Sequence, residues 1–389
     1  MQPLSNSYLR EGELDRMEPH YPLVALVCEQ CFLVQLAAYE SPSEIFSDYA
    51  YFSSYSTSWL KHCESYVNQV VPTLGLGKGS RVVEIASNDG YLLQYFVERG
   101  IPATGLEPAA NVAAVARAKG IPTVVEFFGE VVAQRLRGSQ GPADLLIGNN
   151  VLAHVPDLHD FVAGLAALLA PGGTVTMEFP HLLTLLNDRQ FDTIYHEHVS
   201  YFSLFVVREV FARHGLRVRD VEELPTHGGS LRIWAVRDGN ADEPTSARVD
   251  ALEARERAEG LDSAARYVVF AEAVRRDRRR IVRFFLDAKE DGLSIVGYGA
   301  AAKGNTLLNY CGLGTDVIDV IVDRNPHKQG LFLPGTHIPV LPPAAIDERR
   351  PDLVFILPWN LRTEIEEQLA GVRAWGARFV ARSPDLLVT

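Results

Sequence analysis

Short apolar runs bounded by turn residues recur through the middle of the chain, and each reads as a strand. "RVVEIA" (81–86) is the clearest, a buried strand by its continuous apolar character. "PATGLEP" (102–108), "ADLLIGNN" (143–150) and "GGTVTMEFP" (172–180) have the same texture. Between them lie "GYLLQYFVERG" (90–100), "NVAAVARAKG" (111–120) and "DLHDFVAGLAALLAPGG" (157–173), which read as helices, the first ended by Gly100. Strands alternating with helices predict a parallel sheet. Residues 216–238, "LRVRDVEELPTHGGSLRIWAVRD", read instead as two strands returning on each other at an antiparallel edge. From about 244 to 291 the chain is dense in Arg, Glu and Ala, with "RRDRRR" inside it, which predicts a pair of solvated helices linking two domains. A second α/β texture follows in "LSIVGYGAAAKGNTLLN" (293–309), "VIDVIVDRNP" (317–326) and "DLVFILPWN" (352–360). Residues 1–75 look irregular and aromatic-rich. The expected division is an N-terminal module over 1–75, a first α/β domain over 76–242, and linker helices with a second α/β domain over 243–389.

Composition narrows the class. A chain of 389 residues is long enough for two or three domains. Net charge is −12 and spread along the sequence, which argues against a nucleic-acid surface. Four cysteines do not make a disulfide scaffold in such a length. The apolar runs, "FVAGLAALLA" (161–170) among them, fall short of the roughly 20 residues a membrane span needs. The N-terminus lacks a basic segment followed by an apolar core, so no signal peptide is expected. These features predict a soluble cytoplasmic protein, without membrane or nucleic-acid partners.

Two strand–turn–helix units carry candidate ligand chemistry. Glu84 ends the first strand, and "SNDG" (87–90) turns into a helix, where backbone N–H groups and a helix N-terminus face a ligand. Glu107 ends the second strand, placed to accept from ribose hydroxyls. Ser87 and Asn88 stand where glycines are usual and only Gly90 remains, although Asn tolerates left-handed angles. S-adenosylmethionine, another nucleotide and a purely structural turn all remain open; the final antiparallel strand pair favours the first. In the second unit, "GYGAAAKGNT" (297–306) fails as a Walker A loop, because Asn305 stands where Lys is required. As a dinucleotide loop it has Gly297 and Gly299, with Asp323 ending the next strand and Lys303 available for a diphosphate. A structural turn is the competing reading.

The densest chemistry lies in "DTIYHEHVSYFS" (192–203), where Tyr195, His196, Glu197 and His198 are consecutive. Proton transfer, metal binding through His196 and His198, and a loop stitched by its own hydrogen bonds are all compatible with it. Tyr195 and His198, at i and i+3, share a face only in a helical turn.

Taken together, "VCEQCFLVQL", "VEIASNDGYLL", "NNVLAHVPD", "EFPHLLTLL", "FDTIYHEHVSYFS", "GGSLR" and "GYGAAAKGNTLLN" resemble the C-methyltransferases that act on nucleotide-linked deoxysugars with S-adenosylmethionine, in family order from about residue 21 to 340. The resemblance implies a class I methyltransferase Rossmann-like sheet, a second Rossmann-like α/β domain that helps hold the nucleotide sugar, and a small zinc-binding N-terminal module. It implies methylation of a ring carbon beside a C4 ketone, most often C3, in antibiotic deoxysugar biosynthesis. The runner-up is O- or N-methylation of another small natural-product precursor. By the same resemblance His154, Tyr195, Glu197 and His198 line the reacting centre, with Tyr49 reaching in. Glu84, Ser87, Asn88, Gly90, Glu107 and Asn149 would hold S-adenosylmethionine. Ser230 and Arg232 of "GGSLR", with Lys303 and Asn305, are the residues expected to meet the nucleotide sugar, which is expected to be thymidine-diphosphate-linked. A carbon nucleophile must be made by deprotonation, so a general base is needed, and His198 is the residue expected to supply it. Cys28 and Cys31 are two ligands of a four-ligand zinc site. The family's other pair would precede Met1, so incomplete zinc loading is expected, with His20 or Cys63 as the ligands that would complete a filled site. A monomer or weak oligomer is expected.

Overall fold

The computed structural model describes residues 1–41, 52–239, 244–382 and 384–389. Two short strands near the N-terminus, β1 (Leu26–Val27) and β2 (Val34–Gln35), form a hairpin. The first large sheet is built from β3 (Val82–Ile85), β4 (Ala103–Leu106), β5 (Thr123–Val124), β6 (Ala143–Asn149), β7 (Leu169–Pro180), and, after the small β8 (Ser200–Tyr201), β9 (Leu216–Leu224) and β10 (Ser230–Arg237). Its order is β5-β4-β3-β6-β7-β10-β9. The pairs from β5 to β7 are parallel, and β10 runs antiparallel to both β7 and β9. The second sheet comprises β11 (Ile295–Tyr298), β12 (Val320–Val322), β13 (Val340–Leu341), β14 (Leu353–Ile356), β15 (Arg378–Arg382) and β16 (Leu386–Val388), in the order β13-β12-β11-β14-β15-β16. The predicted alternation is therefore present twice, including the antiparallel edge of the first sheet.

Three expectations need correction. Residues 57–74 are not irregular: Thr57–Leu74 is a helix, capped by the Ser56 hydroxyl accepting from the Trp59 N–H. Its buried face, Trp59, Cys63, Tyr66, Val67 and Val70, packs on the first sheet beside Val82, Leu145 and Ile147. The helix expected over 157–173 stops at Leu168, and β7 starts at Leu169. Pro171 disfavours helical angles at Ala170, which explains the early stop. The Arg-rich pair, Ala247–Ala258 and Ala264–Glu290, does more than bridge solvent. Glu256 is fully buried and accepts from the N–H groups of Leu204 (2.7 Å) and Phe205 (3.2 Å), orphan donors at the start of the helix Leu204–Ala212. Val274, Ile281, Phe285 and Ala288, at helical spacing, seat the longer helix on the second sheet's core.

The two sheets are joined by buried charge. Asp192 accepts from Arg382 (3.0 Å) and from the indole N–H of Trp359 (2.6 Å), both carried by the second α/β unit. Among the described residues, no helix is long and apolar enough to cross a membrane.

Candidate active site

β3, β4 and β6 end side by side, and a cavity of about 570 Å³ opens there. Asn88, Glu107 and Asn149 line it, with Ala86, Asn150, Phe128, His154 and His227. The turn after β3 is built as the sequence allowed: Ala86 (φ +56°), Asn88 (φ +48°) and Gly90 (φ +76°) are all left-handed. The Glu107 carboxylate ties it down, accepting from the N–H groups of Asn88 (2.9 Å) and Ala109 (2.8 Å). Glu84, Ser87 and Gly90 stand behind the lining. Glu84 is fully buried, with no well-formed hydrogen bond to either carboxylate oxygen among the described residues. Burial pushes its carboxyl well above the usual range, and the neighbouring Tyr91 phenol offsets only part of that.

The Tyr-His-Glu-His block is a tight turn, closed by the His198 N–H donating to the Tyr195 carbonyl (2.9 Å). Tyr195 and His198 therefore share a side. The Tyr195 hydroxyl lies 2.9 Å from His198 Nε2, and His198 Nδ1 lies 3.0 Å from the Thr193 carbonyl. A carbonyl only accepts, so Nδ1 carries the proton and Nε2 the lone pair. The His154 ring stands edge-on to His198, centroids 4.7 Å apart. Burial lowers the pKa of His154 to about 4. It drives that of His198 well below the ordinary imidazole value, with His154 adding to the effect. Both rings are neutral at pH 7.

The middle of the block faces elsewhere. His196 Nε2 is 3.2 Å from the Pro22 carbonyl, and its ring meets Tyr21 and Tyr39 edge-on. His196 and His198 thus have different partners, and among the described residues no group of three His, Cys, Asp or Glu is arranged as metal ligands. Glu197 accepts from Asn6 Nδ2 at 2.6 Å. β2 pairs with β8, immediately after the block, so the N-terminal module clasps this turn. Tyr49 lies outside the described residues. Cys28 and Cys31 are free thiols on the β1–β2 hairpin. They do not form a closed zinc site with other described residues.

The expected sugar-nucleotide residues are mostly occupied. Arg232 is 3% exposed, with Nη2 2.8 Å from Glu178 and Nη1 3.3 Å from Glu222. Burial alone would raise the Glu178 pKa. The hydrogen bond from His62 and the charge of Arg232 outweigh it and hold the carboxyl at about 2. Arg232 thus neutralises a buried acid. Ser230 is buried, its hydroxyl donating to the Thr226 carbonyl at 3.0 Å. Asn305 is buried within its helix, accepting from Asn309. Lys303 differs: it donates to Asn360 Oδ1 (2.7 Å), lies 4.6 Å over the Trp359 ring, and its charge acts on His198 and His227. Burial lowers its pKa to about 8, although Asp192 works against the shift. It acts on the reacting turn, and the glycine loop beside it is closely packed. Gly299 (φ +90°) has no room for a side chain against Pro358. The Ala300 N–H donates to Asp323 (2.7 Å), while its carbonyl accepts from Tyr8 (2.5 Å) and Lys328 (2.6 Å).

His227 and Asn150 are not singled out by the sequence reading. The signal available is a non-glycine residue ahead of Gly228-Gly229 in a hairpin turn, and a second Asn after β6.

Comparison with known proteins agrees with this layout. Residues 225–384 match the family described as C-methyltransferase C-terminal domain, residues 59–221 a methyltransferase domain, and residues 1–46 a module provisionally described as a zinc binding domain. The C-methyltransferase NovU of Streptomyces niveus is 36% identical over 383 residues, 98% of this chain and 91% of that protein. A ubiquinone biosynthesis O-methyltransferase of Bordetella avium is 30% identical over 100 residues, 25% of this chain and 42% of its own length. A solved magnesium protoporphyrin IX methyltransferase from Synechocystis, 16% identical, covers 46% of this chain and 79% of its own at a TM-score of 0.36, too slight to carry an argument. Two sheets, an open cavity at the first, and a full-length relative together assign the chain to the C-methyltransferase family.

Proposed function

We propose that the enzyme methylates a ring carbon beside the ketone of a nucleotide-linked 4-keto deoxysugar, at C3, using S-adenosylmethionine. The supporting observation is that one residue serves two places: His154 lines the cavity and its ring touches His198 of the Tyr195–His198 pair. The cavity falls within the roughly 300–1,000 Å³ typical of ligand sites. Asn150, which lines the cavity, has a buried amide oxygen unpartnered among the described residues, polar capacity that suits a nucleoside with a charged amino-acid end. Bound S-adenosylmethionine would supply an electrophilic methyl on a sulfonium.

The chain's own groups supply the rest. Asn88, Glu107 and Asn149 orient the cofactor. His198 Nε2 takes the proton from the acceptor carbon once the substrate displaces the Tyr195 hydroxyl that donates to its lone pair, the ring staying held through Nδ1 by Thr193. The depressed imidazole pKa keeps that base neutral at pH 7. Glu197 is engaged by Asn6 and holds the turn to the N-terminal module. Lys303, Trp359 and Asn360 present a cation and a flat ring from the second sheet for the nucleotide sugar. The work divides over residues 1–75, 76–242 and 243–389, with the helix Thr57–Leu74 going with the first sheet. The test is incubation with S-adenosylmethionine and a panel of thymidine-diphosphate ketosugars, read by mass and carbon NMR. A new methyl on a ring carbon is expected. A methyl on oxygen or nitrogen would replace this reading with the runner-up, and methylation of the free sugar as readily would remove the nucleotide handle.

A further inference from the structure

His227 reaches the cavity from the turn between β9 and β10, not from the strand ends or the Tyr195–His198 turn. Its backbone is left-handed at φ +55°, a conformation that non-glycine residues keep only where the surroundings over-determine it. Here they do. Thr226 Oγ1 donates to Glu178 Oε1 (2.7 Å), Gln190 Nε2 donates to the Gly228 carbonyl (2.7 Å), and Gly228 lies so close to Trp359 that a Cβ would collide with it. The charge cluster that occupies Arg232 thus also fixes this turn. Asn150 Nδ2 donates to His227 Nε2 at 3.0 Å. As the Asn150 amide is oriented, its nitrogen only donates, which puts the ring proton on Nδ1. Among the described residues no other group hydrogen-bonds the ring, which rests against Trp59 with centroids 5.0 Å apart. Burial, reinforced by the Lys303 charge, lowers its pKa to about 4, so it is an uncharged donor at pH 7.

We propose that His227 Nδ1–H is the hydrogen-bond donor to the carbonyl oxygen of the methyl acceptor, on the cavity wall that it shares with Trp59. The inference rests on the reading above, in which the acceptor is a ketone. When His198 Nε2 takes the proton from the carbon beside it, the C–H electron pair becomes the enolate double bond and the carbonyl π pair moves to oxygen. His227 keeps its proton and holds that oxygen, as preorganised donors do where charge develops. The carbon then bonds to the methyl group as the methyl–sulfur bond breaks, and that electron pair stays on sulfur. A neutral imidazole polarises the carbonyl without transferring its own proton.

The test uses His227→Gly, because glycine accepts φ +55° without strain and leaves the loop intact. On an acceptor that the wild type turns over, kcat is expected to fall about 10²–10³-fold, the usual effect of removing one oxyanion donor. Methyl-donor affinity by calorimetry and the melting temperature should stay at or above wild type. Added imidazole should restore part of the rate. Exchange of the acceptor C–H with deuterated water, with a non-methylating donor analogue bound, should slow in step with kcat. His227→Asp, whose carboxylate accepts and does not donate and which also tolerates the left-handed backbone, serves the same reading if the glycine variant misfolds. An active wild type beside an equally active His227→Gly overturns this role alone. So does a rate loss matched by lost methyl-donor affinity without imidazole rescue. A wild type that methylates none of the ketosugars overturns the ketone reading and this one together.

Discussion

Glu107 and Asp323 end the second strands of two similar sheets and are bonded in the same way. Glu107 accepts from the N–H of Asn88 in the turn after β3 and from Ala109 two residues on. Asp323 accepts from the N–H of Ala300 in the turn after β11 and from Asn325 two residues on. Each acid pins the first strand's turn to the second strand, so the pairing belongs to the fold. The surroundings of the two turns differ. Beside Glu107 a cavity of about 570 Å³ is open. Beside Asp323, Pro358 closes over Gly299, and Tyr8 and Lys328 take up the Ala300 carbonyl. A strand–turn–helix motif with an acid after the next strand therefore predicts a turn, and the neighbouring side chains decide whether a ligand can enter it.

The largest test of this contrast is His198→Asn. If the chemistry belongs to the open end of the first sheet, turnover should drop by about 10²–10⁴, the size of a general-base contribution. S-adenosylmethionine affinity by calorimetry should be close to wild type. Undiminished deuterium exchange at the acceptor carbon would move the base to Tyr195 or His154.

The two acids themselves give the next test. Glu107→Ala should weaken S-adenosylmethionine binding by about 1.5–3 kcal/mol, the worth of charge-assisted hydrogen bonds. Asp323→Ala should leave that affinity alone and lower the melting temperature. If both variants lost cofactor affinity alike, the second turn would not be merely structural.

The smallest effect expected is in pH dependence. His154 titrates near 4 in the fold because burial disfavours its charged form, against about 6.5 in an unfolded chain. Protons in that window favour the unfolded chain. The stability linked to the neutral ring is present above pH 6.5 and is lost as pH falls towards 4. Relative to His154→Asn, the wild type should lose about 1 kcal/mol over this range, less than the full shift because the ring keeps some contact with solvent. Melting curves of both proteins at several pH values would show it, and parallel curves would refute it.

Much of this was legible in one dimension. The strands around "RVVEIA" and "LSIVGYG" follow from apolar runs and turn residues, and the antiparallel edge from "LPTHGG" between two extended segments. The Tyr195–His198 pair was accessible as an i, i+3 spacing whose meaning depended on backbone shape. The fates of Arg232, Ser230 and Asn305 were not legible. An arginine beside glycines looks like a phosphate contact until Glu178, 54 positions away, is found against it. Likewise, nothing local marks Glu256 as the acid that caps the helix Leu204–Ala212.

The sequence by itself determined the elements, their alternation and the chemical inventory of the reacting turn, because periodicity and turn chemistry act between near neighbours. Tertiary structure alone decided which groups remain available. It neutralised Arg232 against Glu178, set Pro358 against Gly299 of one loop, left the other turn facing a cavity, and set His227 on its wall. The reason is physical. Desolvation and pairing depend on what the rest of the chain brings within a few ångströms, and a buried charge must be met by a partner wherever along the chain that partner lies.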